Sequence, residues 1–155
     1  MAPLWVRYET GPRSVARLTG AANWDRIVTI MAQRFAPSSP APPGWPTVIP
    51  RIVANDAEGL VGFIKLVFGA TGEYQVDRPT ELKIGDSVVL ISDSGLRNPM
   101  AAFLYVYVDD ADATYRAALH AGARSIEDPV DTPYGDRRGM IEDRWGNTWQ
   151  IATPL

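Results

Sequence analysis

Hydrophobic positions along the chain follow the same order twice: a run at strand period, a run at helical period, then shorter runs at strand period. In the first pass, Thr47-Val48-Ile49-Pro50-Arg51-Ile52-Val53 alternates as a strand, with Pro50 favouring an edge or a bulge. Asn55 or Asp56 stands where an N-cap belongs, and Leu60, Phe63, Ile64, Val67 and Phe68 recur at helical spacing up to Gly69. Gly72 to Val76, Thr80 to Ile84 and Ser87 to Ser92 then form three short strand patterns, the last two separated by Gly85-Asp86. After a loop from Ser94 to Pro99 the order restarts with a strand from Ala101 to Val108. Asp109 or Asp110 caps a helix running to Ala121-Gly122, and a strand near Arg124 to Ile126 leads into the Pro-containing loop Asp128 to Gly135. A hairpin closes the series: Arg138 to Glu142, a turn over Asp143-Arg144-Trp145-Gly146-Asn147, and Thr148 to Thr153.

These passes are an internal repeat. Val53-Ala54-Asn55-Asp56-Ala57 matches Tyr107-Val108-Asp109-Asp110-Ala111 as a strand-to-helix joint, and Gly69-Ala70 matches Gly122-Ala123 as a helix end. One βαβββ unit has an apolar sheet face that it cannot bury alone. Two units side by side make one curved sheet with helices behind it and a cup in front. Strand alternation puts Phe103, Tyr105 and Tyr107 on one face and Leu104, Val106 and Val108 on the other. On the final strand Thr148 and Gln150 share a face, while Trp149 and Ile151 point to the helix side.

Residues 1–46 break from this rhythm. Leu4 to Tyr8 has the pattern of a short strand, and a helix is expected over about 23–35, capped by Asn23, with Trp24, Ile27, Val28, Met31 and Phe35 on one face. Its apolar face suits packing on the main domain or a partner subunit, or alternatively a lid over a ligand site. Residues 36–46 carry too many prolines for a helix or a central strand, so they form an extended linker to a domain over 47–155.

Composition narrows the function. The 155 residues suit one domain or two small modules sharing a core, and net charge is −3 with scattered Lys and Arg, so no nucleic-acid footprint is present. No apolar run is long enough to span a bilayer, and the first residues lack the pattern of a signal peptide, so no membrane is expected. There is no Cys, which removes disulfides, thiolate metal sites and a Cys nucleophile and agrees with a cytoplasmic setting. The single histidine, His120, falls on the second helix, away from the cup. Glu73, Asp77, Glu81 and Glu142 are candidate acids, each better explained as a solvated strand or turn residue, and Asp143 suits a turn cap.

The two joints, the helix end Phe63-Ile64-Lys65-Leu66-Val67-Phe68-Gly69-Ala70, the segment Glu81-Leu82-Lys83-Ile84-Gly85-Asp86 and the closing hairpin Tyr134 to Thr153 together resemble the glyoxalase/bleomycin-resistance/dioxygenase superfamily, the vicinal oxygen chelate proteins. Gly135-Asp136-Arg137 with Gly146 and Trp149-Gln150-Ile151-Ala152-Thr153 is similar to a poorly characterised bacterial branch of it. The resemblance covers about residues 47–153. It implies an α+β fold in which two βαβββ modules, about 47–94 and 100–155, form an eight-stranded half-open barrel, usually as a homodimer, with the N-terminal helical arm added. The superfamily includes isomerases, ring-cleaving dioxygenases, epimerases, thiol transferases and antibiotic-sequestering proteins, so function must be read at the site.

Metal-dependent members of that family hold a divalent ion with His and Glu side chains. By the motif, those positions fall on Ile49, Phe103, Gln150 and one residue within Ser87 to Ser92, a stretch with no acid and no His. A hard cation needs carboxylates, imidazoles or several oxygens, so neither a metal nor another cofactor is expected. An apolar, aromatic cup takes its place, lined by Ile49, Arg51, Phe103, Tyr105 and Gln150, with Tyr134 and Arg137 near the mouth. Flat, polyketide-like ligands fit such walls, and Arg51 or Arg137 is positioned to meet a carboxylate or phenolate. The plainer alternative is that Phe103 and Tyr105 fill the barrel as core. The expected function is a metal-independent binder of a small apolar or aromatic molecule, resembling antibiotic-binding resistance proteins. The rival is a metal-free enzyme (cyclase, epimerase or isomerase), and a metal-dependent lyase or dioxygenase lacks its ligands.

Overall fold

The structure, a computed structural model, describes residues 41–95 and 97–155 together with Arg26, Ile27 and Thr29. Two compact units divide the chain, Met1–Ser39 and Pro40–Leu155. In the first, Arg26, Ile27 and Thr29 are helical; the remainder of the helix expected over about 23–35, and the strand expected at 4–8, lie outside the described residues.

The second unit runs β1 (Arg51–Ala54), α1 (Ala57–Phe68), β2 (Thr80–Ile84), β3 (Ser87–Asp93), β4 (Phe103–Tyr107), α2 (Ala111–His120), β5 (Arg124–Asp131), β6 (Asp136–Glu142) and β7 (Thr148–Pro154). Its sheets have the orders β1-β3-β2 and β4-β7-β6-β5. In both, the first strand pairs in parallel with the last strand of its module, and the remaining pairings are antiparallel. The shared pairing bears out the repeat, with three strands in the sheet of the first module and four in that of the second.

One expected strand is missing from the ladder. Residues 72–76 are not a strand; only an isolated bridge, Thr71 to Lys83, remains of it. Gly72 takes φ 129, and a Cβ there would lie 2.3 Å from the Glu81 carbonyl oxygen. That backbone, reachable at low cost by glycine, turns the chain out of strand geometry. The first strand is also shorter than the pattern over 47–53, beginning only after Pro50. β5 runs past its expected end, through Pro129 to Asp131. It is an edge strand with register shifts, where a proline is tolerated.

Both helices start as the caps dictate. Asp56 accepts from the Gly59 amide at 3.0 Å, and Asp110 accepts from the Ala113 amide at 2.8 Å. Leu60 and Ile64 of α1, Leu82, Ile91, Ile141, Trp149 and Ile151 of the sheets are fully buried. The core joins the modules, since Phe68 of α1 stacks on Trp149 of β7 with ring centroids 4.8 Å apart, and Phe63 meets Trp145 edge-on at 6.0 Å. Each such apolar side chain removed from water contributes roughly 1.5–3 kcal/mol. The common core therefore sits on the helix side of both sheets, leaving their other faces free for a site.

The closing turn is built around one carboxylate. Buried Asp143 accepts from the Trp145 and Asn147 amides, from Asn147 Nδ2 and from Trp149 Nε1, all at 2.9–3.0 Å. Asn147 Oδ1 in turn accepts from the Ala102 amide at 2.9 Å, which anchors the chain entering β4 against the hairpin.

Candidate functional site

β4 carries the most exposed aromatic row of the fold. Phe103, Tyr105 and Tyr107 are 65%, 39% and 62% exposed, while Leu104 and Val106 between them turn toward the core. Register extends this face across the sheet: Phe103 lies opposite Thr148, Tyr105 opposite Gln150, and Gln150 opposite Met140. By the same alternation Asp136, Arg138 and Glu142 of β6 share it.

Asp136 is the polar centre of this face. It is only 8% exposed, and its Oδ2 accepts from the Tyr105 hydroxyl at 2.5 Å and from the Tyr107 hydroxyl at 3.1 Å. The two rings lie 5.2 Å apart, tilted by 53°. Thr132 closes the turn before β6, donating from Oγ1 to the Asp136 carbonyl and accepting from its amide. Burial, then the bond to Asp136, pushes the Tyr105 hydroxyl well above its ordinary value; for Tyr107 the bond to Asp136 is the leading cause of the rise. Both stay protonated donors throughout the neutral range. Two residues along β6, Arg138 pairs with Glu127, and its Nε is buried without a partner among the described residues.

The first module's open face holds a cleft of about 360 Å³ lined by Arg51, Ser92, Gln75, Asp77, Arg78 and Arg97, among others. Arg51 donates from Nε and Nη2 to the Ser92 hydroxyl at 3.0 and 2.8 Å. Asp93 accepts from Tyr74 at 2.5 Å, and that bond pushes the Tyr74 hydroxyl up to about 12. Arg78 and Arg97 form no ion pair with any described residue, so this cleft suits an anionic group.

The resemblance puts three of the family's metal positions on Ile49, Phe103 and Gln150, and the strand registers say which residue of Ser87 to Ser92 corresponds to the last of these. Arg51 pairs with Leu90 as Tyr105 pairs with Gln150, so Leu90 is the first-module counterpart of Gln150. The four positions are then Ile49, Leu90, Phe103 and Gln150. Three offer no lone pair and the fourth offers one neutral amide oxygen, so these residues do not fit a divalent ion. Among the described residues, no other group of three or more His, Asp or Glu comes together as a metal site.

Expected site residues are distributed as follows. Phe103, Tyr105 and Gln150 share one face. Tyr134 is exposed in the turn before β6, near enough to couple to the ionisation of both tyrosines. Ile49 is half-buried just before β1, and Arg51 lies in the first-module cleft. That cleft is lined only by residues between 51 and 97, so within one chain Arg51 and the β4 aromatics do not enclose a common cavity. Arg137 is a correction. It belongs to β6, not to a loop, and points to the helix side, where it pairs with Asp112 of α2 at 2.5 Å and with Asp131 at 2.9 Å. The alternative that Phe103 and Tyr105 are core is excluded by their exposure.

The other candidate acids have ordinary duties. Glu73 pairs with Lys65 at 2.8 Å, Glu142 pairs with Arg124 at 3.0 Å, and Glu81 is exposed. Asp77 lines the first-module cleft, and His120 is exposed in the last turn of α2. Asp136 is the residue that sequence reasoning passed over. Strand parity carried back from core-facing Ile141 puts Arg137 on the helix side and Asp136 in the open face, but only if the strand is begun two residues earlier.

A family model described as Glyoxalase/Bleomycin resistance protein/Dioxygenase superfamily matches residues 4–151. An uncharacterized protein of Mycobacterium tuberculosis is 27% identical over 128 residues, spanning 71% of this chain and 75% of that protein. Among solved structures, TioX from Micromonospora sp. ML1 superposes with a TM-score of 0.60 at 21% identity, covering 70% of this chain and 98% of its own. A glyoxalase/bleomycin resistance protein/dioxygenase family enzyme from Burkholderia phytofirmans PsJN gives 0.59 at 21% identity, covering 69% and 97%. At such identities these structures bear on the fold alone. No helix among the described residues is long and apolar enough to cross a membrane.

Proposed function

This chain belongs to the Glyoxalase/Bleomycin resistance protein/Dioxygenase superfamily, and from that premise we propose that it is a metal-independent small-molecule binding protein. The observation that carries this reading is the substitution of all four metal positions by Ile49, Leu90, Phe103 and Gln150, next to an exposed aromatic row on β4. A face losing its ion and keeping accessible rings is suited to holding a flat apolar or aromatic molecule by stacking. The function is then sequestration or delivery, in the manner of the antibiotic-binding members of the superfamily.

A second copy of the chain belongs to the proposal. The first-module cleft does not reach the β4 aromatics, the cavity of about 300 Å³ where Pro50, Ile84 and Val89 meet Tyr105 and Tyr107 takes in neither Arg51 nor Phe103, and a row as exposed as Phe103, Tyr105 and Tyr107 favours cover. A homodimer with the first-module face of one copy opposite the second-module face of the other would bring Arg51 and Phe103 into one cup.

A metal-free enzyme is the second reading, favoured by the buried Asp136 carboxylate beneath two tyrosine hydroxyls. Such a group is equipped for proton transfer in a cyclisation or epimerisation.

A thermal-shift screen of the full chain against flat aromatic natural products, with elemental analysis of the purified protein, tests the main reading. Stabilisation by at least one ligand class without stoichiometric metal is expected. Stoichiometric Zn, Ni, Mn or Fe held by the site, or the absence of any stabilising ligand, overturns it. Release of a chemically altered ligand would select the enzyme.

A further inference from the structure

We propose that the Asp136 cluster is a recognition site for a protonated or quaternary amine carried on the aromatic or apolar ligand. This rests on the binding reading above and adds the charge of the ligand.

The charge balance of the second-module face is the starting point. Asp136 is more than nine-tenths buried, yet no Lys or Arg pairs with it among the described residues. A buried carboxylate without a counter-ion is costly, and two tyrosine hydroxyls on one oxygen offset only part of that cost. Oδ1, the other oxygen, accepts nothing from any described residue. The nearest cation on the same strand face, Arg138, is met by Glu127, and Arg137 is held on the opposite side of the sheet by Asp112 and Asp131. No arginine on β6 therefore neutralises Asp136.

Two rings meet at the same carboxylate. Tyr105 and Tyr107 hold it through their hydroxyls while remaining 39% and 62% exposed, and Tyr134 is two residues upstream in the turn. Electron-rich ring faces around a negative charge attract alkylammonium groups. Hydrogen bonding from the tyrosines to Asp136 also makes the rings more electron-rich and holds them in one orientation, so less ordering accompanies binding. An anionic ligand group is disfavoured at this face and is left to the first-module cleft, which Arg51, Arg78 and Arg97 line together with Asp77 and Asp93.

Two isosteres separate charge from shape: meta-hydroxyphenyltrimethylammonium and the neutral meta-tert-butylphenol. Calorimetric titration of the full chain should show the cation binding about tenfold more tightly than the neutral probe. In Asp136→Asn that preference should vanish, because the amide oxygen still accepts from both tyrosines while the charge is gone. Tyr134→Ala alters an exposed side chain and so stays folded if Asp136→Asn does not; it should weaken the cation about threefold more than it weakens the neutral probe. Equal binding of the two probes to the wild type, or a preference that survives in Asp136→Asn, overturns the ammonium site and leaves the binding reading standing. Binding of neither probe to the wild type overturns both.

Discussion

Asp143 and Asp136 are both buried carboxylates, and their surroundings separate a structural role from a functional one. Asp143 receives four hydrogen bonds from the closing turn and the strand after it. Asp143→Ala would strand the Trp149 and Asn147 donors in the core, and a loss of about 3 kcal/mol is expected in urea denaturation; a loss below about 1 kcal/mol would show that the turn is held by other contacts. Asp136 receives only tyrosine hydroxyls on one oxygen, and its charge is not neutralised. Because the folded values of Tyr105 and Tyr107 are raised, their contribution to stability is whole below about pH 10 and is lost as pH rises through the folded values. Phenolate absorbance should therefore show a late-titrating class of tyrosines in the native protein. Asp136→Asn should bring both hydroxyls down, since Asp136 raises each of them. A titration unchanged by that substitution would remove Asp136 as the cause. At this scale Asp143 was legible from the turn sequence around it. Asp136 was not, because its role depends on tyrosines about thirty residues away.

Parity decides what each strand offers. In β6 the alternation sends Asp136 to the open face and Arg137 to α2, so neighbours in sequence do unrelated work. Arg137 holds the Asp112 carboxyl below its usual range. That contribution is present above the unfolded value near pH 4 and is lost as pH falls through the folded one. Arg137→Gln should thus lower the melting temperature at neutral pH, narrow its difference from the wild type in strong acid, and leave binding of the ammonium probe unchanged. A large loss of binding would return Arg137 to the site. In the first module, Gly72→Ala forces a Cβ against the Glu81 carbonyl at a left-handed φ, and a cost of about 1–3 kcal/mol is expected in denaturant unfolding. An unchanged midpoint would mean that the segment relaxes without strain. The hydrophobic pattern over 72–76 looked like a strand because alternation does not register the conformation of a single glycine.

At the scale of the molecule, the two modules share their core through Phe68 against Trp149 and Phe63 against Trp145, which leaves both open faces outward. The proposed homodimer closes them on each other. Phe103→Glu places a charge in the middle of that face and should shift the sedimentation of the chain from dimer to monomer while far-ultraviolet dichroism is unchanged. A wild-type monomer at tens of micromolar would leave the aromatic face without the second copy assigned to it.

Sequence by itself determined the twofold strand-helix-strand order, the helix caps at Asp56 and Asp110, the faces of β4 and β7, and the poverty of metal donors, because each follows from local periodicity or from which atoms a side chain carries. Tertiary structure alone decided which strand was lost, where Arg137 points, that Leu90 stands opposite in the repeat to Gln150, and that Asp136 lies under two tyrosines. Those depend on register and on approach between distant segments, which the period of a pattern does not encode.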